Sequence, residues 1–339
     1  LLVFDNALLT QSRLILLDPF LLLFGFASLL FYFRHLNHSP KKSQHHSQIL
    51  KNLRMMFNFN LILMAVFGGL AISIKWTGLS FIALPVLIES YYKFKQKKIV
   101  AFIKFCSFFL ISLVIYFSVF ALHFALLPKP GLGDAFMKSN FRENNIIKNI
   151  VDLNIEMYKS NQRLGATHPY GSQWYSWPFM ARPIYYWNGS TSSPQANPTD
   201  TGEEKIYFFG NPLVWWTSSA AVIYSLWTMA NGLWLKFKKA IPLSIVLSPL
   251  TILMVGYWLN LLPFIGVKRV MFLYHYLTAL IFAIIMLCYL LDKNKKSRKI
   301  FTGIIIAAIA AFLFFAPLSY GLELSDKAYW ARVWFASWR

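Results

Sequence analysis

Charge is scarce in this sequence. Of 339 residues only 13 are Asp or Glu, and 14% are charged, where a soluble domain carries roughly 25%. That excludes an ordinary soluble globular class. Cysteine is almost absent: Cys106 and Cys288 both fall inside apolar runs. With no CxxC and no metal spacing they read as buried packing residues, and no metal site is expected. There is no GxGxxG or other phosphate loop, and no internal repeat or low-complexity tract. The alternating ten-residue pattern of an outer-membrane barrel is missing too.

What is present is grease. The chain is 57% hydrophobic with a mean hydropathy of +0.49. Apolar runs near 20 residues recur, which gives the fold class: an all-α, multi-span integral membrane protein. We count eight expected spans, at residues 14–33, 57–73, 79–92, 99–127, 215–234, 241–260, 270–291 and 300–318. The formal net charge of +20 does not point to nucleic acid, because of where the cations sit. Seventeen Lys and Arg crowd into four short loops on one side of this topology, as the positive-inside rule requires of cytoplasmic loops. Residues 128–205, on the other side, carry 8 Lys/Arg against 7 Asp/Glu.

Several features stand out from that background. The start, FDNALLTQSRLILLDPF, sets Asp5, Gln11, Arg13 and Asp18 around the head of a span. Arg13 reads either as a snorkelling cation paired with Asp18 or Asp5, or as an anion site facing an external cavity. Lys75 beside Trp76 fits an interface anchor. In VKRVMFLYHYLTAL, Lys268 and Arg269 stand at the mouth of a span, with Tyr274, His275 and Tyr276 one to two turns deeper. Such a set suits a lipid phosphate, while a lone histidine in a span also serves as a helix contact.

The external stretch NNIIKNIVDLNIEMYKS has Ile147, Ile150, Val151 and Tyr158 at helical spacing. It reads as an amphipathic helix in the membrane interface, or as the surface helix of an external domain. After it comes THPYGSQWYSWPFMARPIYYW, residues 167–187, with three Trp, four Tyr and no carboxylate. Its tryptophans suit either an aromatic belt or the wall of a sugar cavity. Asn188-Gly189-Ser190 matches a glycosylation sequon, a pattern frequent by chance. His35, His38, His45 and His46 lie in or beside a basic loop, better read as solvated near anionic lipid than as metal ligands.

These blocks resemble the protein O-mannosyltransferases. The likeness runs through DNALLTQSRLILLDPFLLLF, SIKWTGL, THPYGSQWYSWPFMARPIYYW with FFGNPLVWW, RVMFLYHYLTAL and the tail PLSYGLELS. The resemblance implies a GT-C type membrane glycosyltransferase of about eleven spans. It implies inverting transfer of mannose from polyprenyl (dolichyl-type) phosphate mannose to Ser or Thr hydroxyls. The donor is a substrate, and no cofactor follows from the likeness. The family's acidic pair, the expected base, belongs to an external loop before these blocks, so the chain reads as an N-terminally truncated piece, inactive alone. About forty residues separate Leu127 from His168, which leaves no room for the eukaryotic β-trefoil insertion and favours a bacterial-type enzyme in the plasma membrane with its site outside, or in the endoplasmic reticulum if eukaryotic.

Carried over residue by residue, Arg13 matches the QSR arginine. His168, Pro169, Tyr170, Ser172, Trp174, Trp177 and Pro178 match the HPY…W..WP block, and Arg269, Tyr274, His275 and Tyr276 match the R….YHY block. We assign Arg13, Lys268, Arg269, Tyr274, His275 and Tyr276 to the lipid phosphate, and His168, Tyr170, Ser172, Trp174, Trp177 and Arg182 to the acceptor or sugar cavity. The expected divisions are residues 1–127, 128–205 and 206–339, with a C-terminal family region near 140–338. Partners expected are the lipid-linked sugar, secreted or membrane acceptor proteins, the bilayer and export machinery. Alternative readings are a transferase acting on glycan or lipid, a non-catalytic partner subunit, or a transporter; the last would show discontinuous spans or inverted repeats.

Overall fold

The computed structural model describes residues 1–38, 58–138, 141–143, 145–163, 165–189, 203–234, 248–292 and 295–339. Its helices, in chain order, are α1 (Asn6–Arg13), α2 (Asp18–His38), α3 (Phe59–Ile74), α4 (Ser80–Lys95), α5 (Ile99–Cys106), α6 (Phe109–Leu126), α7 (Ile146–Arg163), α8 (Pro212–Trp234), α9 (Pro249–Leu259), α10 (Leu277–Leu291), α11 (Lys295–Tyr320) and α12 (Asp326–Trp330). Three short strands join them: β1 (Ile184–Asn188), β2 (Glu203–Phe208) and β3 (Glu323–Leu324). The helical membrane class holds, with this small sheet as an unanticipated addition.

Five stretches among the described residues are long and apolar enough to cross a membrane: Asp18–Asn37, Ile99–Leu126, Pro249–Gly266, Leu273–Leu291 and Lys296–Tyr320. The other expected spans are also helical, but α3 and α4 have only 16 residues each, about 24 Å at 1.5 Å per residue. Helix α8 is long enough at 23 residues, yet its Ser, Thr and Asn residues dilute its hydropathy. The span expected at 241–260 is described only from Ser248, whose hydroxyl caps α9 ahead of Pro249. The basic loop with His45 and His46, and Lys236, Lys238 and Lys239, lie outside the described residues.

The chain divides into two compact units, Leu1–Leu16 with Gly165–Arg339, and Leu17–Leu164. In the second, small residues let spans approach closely, as membrane helices require. A Cβ on Gly69 would lie 2.8 Å from Ser112 backbone, and the Ser112 hydroxyl donates to the Ala65 carbonyl at 2.6 Å. Ser28 likewise donates to Met64 at 2.8 Å, tying α2 to α3. Asp18 in the first turn of α2 pairs with Lys75, the C-cap of α3, at 2.5 Å. Each charge there complements its helix dipole. Asp18 is thus the partner of Lys75, correcting the expected pair with Arg13. Beyond α6, Arg142 donates to the Leu127 carbonyl at 2.5 Å and pairs with Asp134 at 2.8 Å, closing the connection to α7.

In the other unit, β1 and β2 run antiparallel and β2 pairs with β3. The register slips between Tyr185 and Trp187, so Tyr186 bulges out of the ladder, and bulges re-aim side chains. The unit's core is aromatic: Trp177, Phe208, Trp215, Tyr276 and Phe315 are fully buried.

Candidate functional site

The first helix is fixed by its polar residues. Asp5, fully buried, caps α1 by accepting from Leu8 N at 2.9 Å. Its other oxygen accepts from Asn211 N at 3.1 Å and from the Trp215 indole at 2.7 Å. Burial pushes its carboxyl up to about 6, against the pull of those donors. Asn211 returns the bond by donating to the Phe4 carbonyl at 2.7 Å. The next residue, Asn6, donates to the Ser319 hydroxyl at 3.0 Å. Gln11 accepts from the bulged Tyr186 hydroxyl at 2.9 Å. Asp5 therefore serves α8, not Arg13. The Arg13 guanidinium lies 4.4 Å over the Tyr320 ring and donates to the Ser319 carbonyl at 3.2 Å. It is exposed, with no carboxylate partner among the described residues. A cation held by a ring and a carbonyl keeps its charge available to an anion.

The aromatic segment is a short 3-10 turn, Trp174–Phe179, ended by Met180 in the left-handed conformation at φ 54°. The Met180 carbonyl accepts from the Trp338 indole at 2.9 Å, so a distant tryptophan locks the reversal. Ser172 N donates to the Met271 carbonyl at 2.8 Å, and the Ser172 hydroxyl accepts from the Trp177 indole at 2.9 Å. The His168 ring lies 5.1 Å from Phe272. The His275 ring stacks at 5.7 Å on Trp177 and at 4.5 Å on Tyr274. Two blocks a hundred residues apart thus form one aromatic platform.

Three site expectations change. The Tyr274–His275–Tyr276 group is not deep in a span: it is a 3-10 turn at the head of α10, and His275 Nδ1 accepts from Phe272 N at 3.2 Å to cap it. Tyr276 is fully buried, its hydroxyl 3.3 Å from Tyr257 and its ring against Trp215; it is core, not a phosphate contact. Trp177 is fully buried as well, and with Ser172 supports the platform from beneath. Trp174 touches the neighbouring Tyr175 ring at 5.8 Å. Lys268 and Arg269 lie in the non-helical stretch before the turn, without an ion-pair partner among the described residues.

Sequence reasoning missed a tyrosine cluster beside this platform. Tyr170 lies 6.1 Å from Tyr185, Tyr185 lies 4.9 Å from Tyr207, and the Tyr207 and Tyr329 hydroxyls are 2.9 Å apart. Lys205 sits 4.3 Å over Tyr329, and Arg182 5.8 Å over Tyr170. The Arg182 Nε is buried without a hydrogen-bond partner among the described residues. Burial pushes the Tyr185 and Tyr207 phenols up and the Lys205 ammonium down. The available signal was the period-two alternation of EEKIYF, which places Tyr207 and Lys205 on one face of a strand. Of the external carboxylates, Asp134 is held by Arg142 well below the usual range, and Glu156 pairs with Arg163 at 3.6 Å. Neither is free to act as a base.

Comparison with known proteins bears on the family and the fold. Residues 146–338 match the family model for the C-terminal four-span region of protein O-mannosyltransferase, and residues 1–128 match that for dolichyl-phosphate-mannose-protein mannosyltransferase. A polyprenol-phosphate-mannose–protein mannosyltransferase of Corynebacterium glutamicum is 25% identical over 99% of this chain and 69% of its own length. Dolichyl-phosphate-mannose–protein mannosyltransferase 5 of Candida albicans is 25% identical over 62% of this chain but only 30% of its own. The chain thus spans about a third of that relative. The protein O-mannosyltransferase Pmt1-Pmt2 complex of Saccharomyces cerevisiae, solved with its sugar donor, superposes with a TM-score of 0.78 at 15% identity, covering 99% of this chain and 75% of the matched one. That likeness carries the fold. With family models covering both halves, the chain belongs to the protein O-mannosyltransferases.

Proposed function

We propose that this chain holds the donor and acceptor of an inverting mannosyl transfer, from polyprenyl phosphate mannose to Ser or Thr hydroxyls of exported proteins, on the external face of the membrane. One observation carries the reading: Arg13, the aromatic platform and the tyrosine cluster assemble in one compact unit from segments at both ends of the sequence. The relatives named for this reaction support it.

The chemistry follows from the residues. As the glycosidic bond breaks, negative charge grows on the lipid phosphate. The exposed Arg13 guanidinium offsets that charge, with Lys268 and Arg269 as further cations. Tyr274, His168 and Tyr170 give a ringed floor for the sugar's apolar face, and Tyr185 and Tyr329 offer hydroxyls to its polar edge, with the buried Tyr207 steadying Tyr329 from behind. Direct attack by the acceptor oxygen inverts the anomeric carbon and needs one base. We expect that base from an acidic external loop and assign it to none of the residues here.

The test uses membranes containing the full protein, a polyprenyl phosphate mannose donor and a Ser/Thr-rich acceptor peptide. Arg13→Ala is expected to lower transfer by about 10²–10³-fold, the usual loss when one charge-stabilising donor is removed, with expression retained. Parental turnover in that variant overturns the phosphate role. Transfer to a glycan or lipid but not to the peptide favours the alternative acceptor class.

A further inference from the structure

Helix α7 has three faces. At 100° per residue, Asn149, Ile150, Leu153 and Asn154 lie on one side. They meet α6: Ile150 and Leu153 join Phe120, Phe124 and Phe141 in one cluster, and Asn154 accepts from the Tyr116 hydroxyl. Lys148, Asp152, Glu156, Lys159 and Arg163 form a second, charged side. Between them runs a stripe about 80° wide of Ile147, Val151, Ile155 and Tyr158. These four are 73%, 47%, 45% and 56% exposed, so none of the described residues covers them. Ile150, which the sequence pattern groups with this stripe, belongs to the protein face at 6% exposed.

The depth of the stripe follows from what α7 touches. Tyr116, Phe120 and Phe124 lie one turn apart on a helix apolar enough to cross a membrane. Tyr116 is ten residues before the end of α6, about 15 Å along its axis. Helix α7 therefore packs alongside the last turns of a span and not beyond its tip. The flanks of α6 at this level, Phe117, Val119, Leu122 and Leu126, are themselves exposed and apolar. In addition, the Trp76 indole donates to the Tyr116 hydroxyl at 2.9 Å, the kind of Trp–Tyr pair that gathers at a membrane–water interface. A stripe at this depth, continuous with the lipid-facing flank of a span and bordered by Lys148 and Lys159, meets acyl chains on one edge and headgroups on the other.

We infer that α7 lies in the outer interface of the bilayer, with Ile147, Val151, Ile155 and Tyr158 immersed in lipid, and that its occupant is lipid and not a protein partner. Burying such a stripe fixes the height of the external segment above the membrane.

Cysteines introduced singly at 147, 151, 155, 152, 156 and 159, in a full chain carrying Cys106→Ser and Cys288→Ser, would be spin-labelled and reconstituted into phosphatidylcholine–phosphatidylglycerol nanodiscs. Oxygen should relax labels at 147, 151 and 155 more than a water-soluble nickel chelate does, and the order should reverse at 152, 156 and 159. Greater access by the chelate at the stripe refutes the inference, as does shielding from both reagents, which means a protein cover. Labelling of the unsubstituted chain with a lipid-soluble carbene provides a check independent of the substitutions: modified residues should fall at Ile147, Val151, Ile155 and Tyr158, and an unmodified stripe overturns the assignment.

Discussion

Replacing Asp5 with alanine should loosen the unit that carries Arg13, and the size of the effect should depend on pH in a direction the structure dictates. The carboxylate serves three donors, Leu8 N, Asn211 N and the Trp215 indole. Loss of an N-cap costs about 1 kcal/mol. Each of the two buried donors then left orphaned costs about 1–3 kcal/mol. The expected penalty is about 3–7 kcal/mol. That full penalty applies where Asp5 is neutral. Its carboxyl is raised from 3.8 to about 6, so the fold binds the proton more tightly than the unfolded chain. The protonated form's contribution is complete below about pH 4 and is lost as pH rises through 6. Two units correspond to about 3 kcal/mol. The parent should therefore lose that much between pH 4 and pH 7.5, and Asp5→Ala should not. The gap between them narrows to about 0–4 kcal/mol at the higher pH. The assay is thermal unfolding of the detergent-solubilised chain, followed by a thiol dye at Cys106 and Cys288. At about 2–4 °C per kcal/mol for a body of this size, the variant should melt about 6–28 °C lower at pH 4.5. A gap that widens with pH, or one below 2 °C at pH 4.5, refutes the reasoning.

Three further outcomes are expected. Gly69→Ala places a Cβ 2.8 Å from Ser112 backbone and should cost about 1–3 kcal/mol, read as faster dye labelling of Cys106; unchanged labelling contradicts the close α3–α6 approach. Trp338→Phe removes one indole donor and should cost about 1 kcal/mol, whereas Trp338→Ala should cost about 3–5 kcal/mol and open residues 165–170 to protease; equal effects would mean that the hydrogen bond to Met180 carries the whole contribution and the packing of the ring none. Lys75→Met removes the ion-pair partner of the buried Asp18 and should melt below the double variant Lys75→Met/Asp18→Asn; the reverse order would show that the pair is incidental.

The spans were legible because their signal is local: a run of apolar residues long enough to cross a bilayer defines itself. The assembly of the platform was legible only in part. His168, Tyr170, Tyr274 and His275 could be named from the order of their blocks, but nothing local says that Ser172 N reaches Met271. Tyr276 and Trp177 were misplaced for a related reason. An aromatic ring reads the same whether it lines a cavity or fills a core, and the partners that decide, Tyr257, Trp215 and Phe264, come from other elements. Asp18 stood with Asp5 as one of two carboxylates offered to the nearer arginine, whereas helix pairing brings it to Lys75, 57 positions away. The Tyr207–Tyr329 contact spans 122 positions, and each half looks like ordinary strand or tail.

The bonds that seat α1 reach far along the chain: Asp5 to Asn211 over 206 positions, Asn6 to Ser319 over 313. In a protein threaded into the membrane during synthesis, a helix can be made long before its seat exists. The ribosome delivers the Arg13 helix first, yet the residues that hold it arrive with α8 and with the end of α11. Until then the helix has no fixed bearing, and neither has the guanidinium. Its direction thereby becomes a property of the completed insertion, which a half-threaded chain does not yet have.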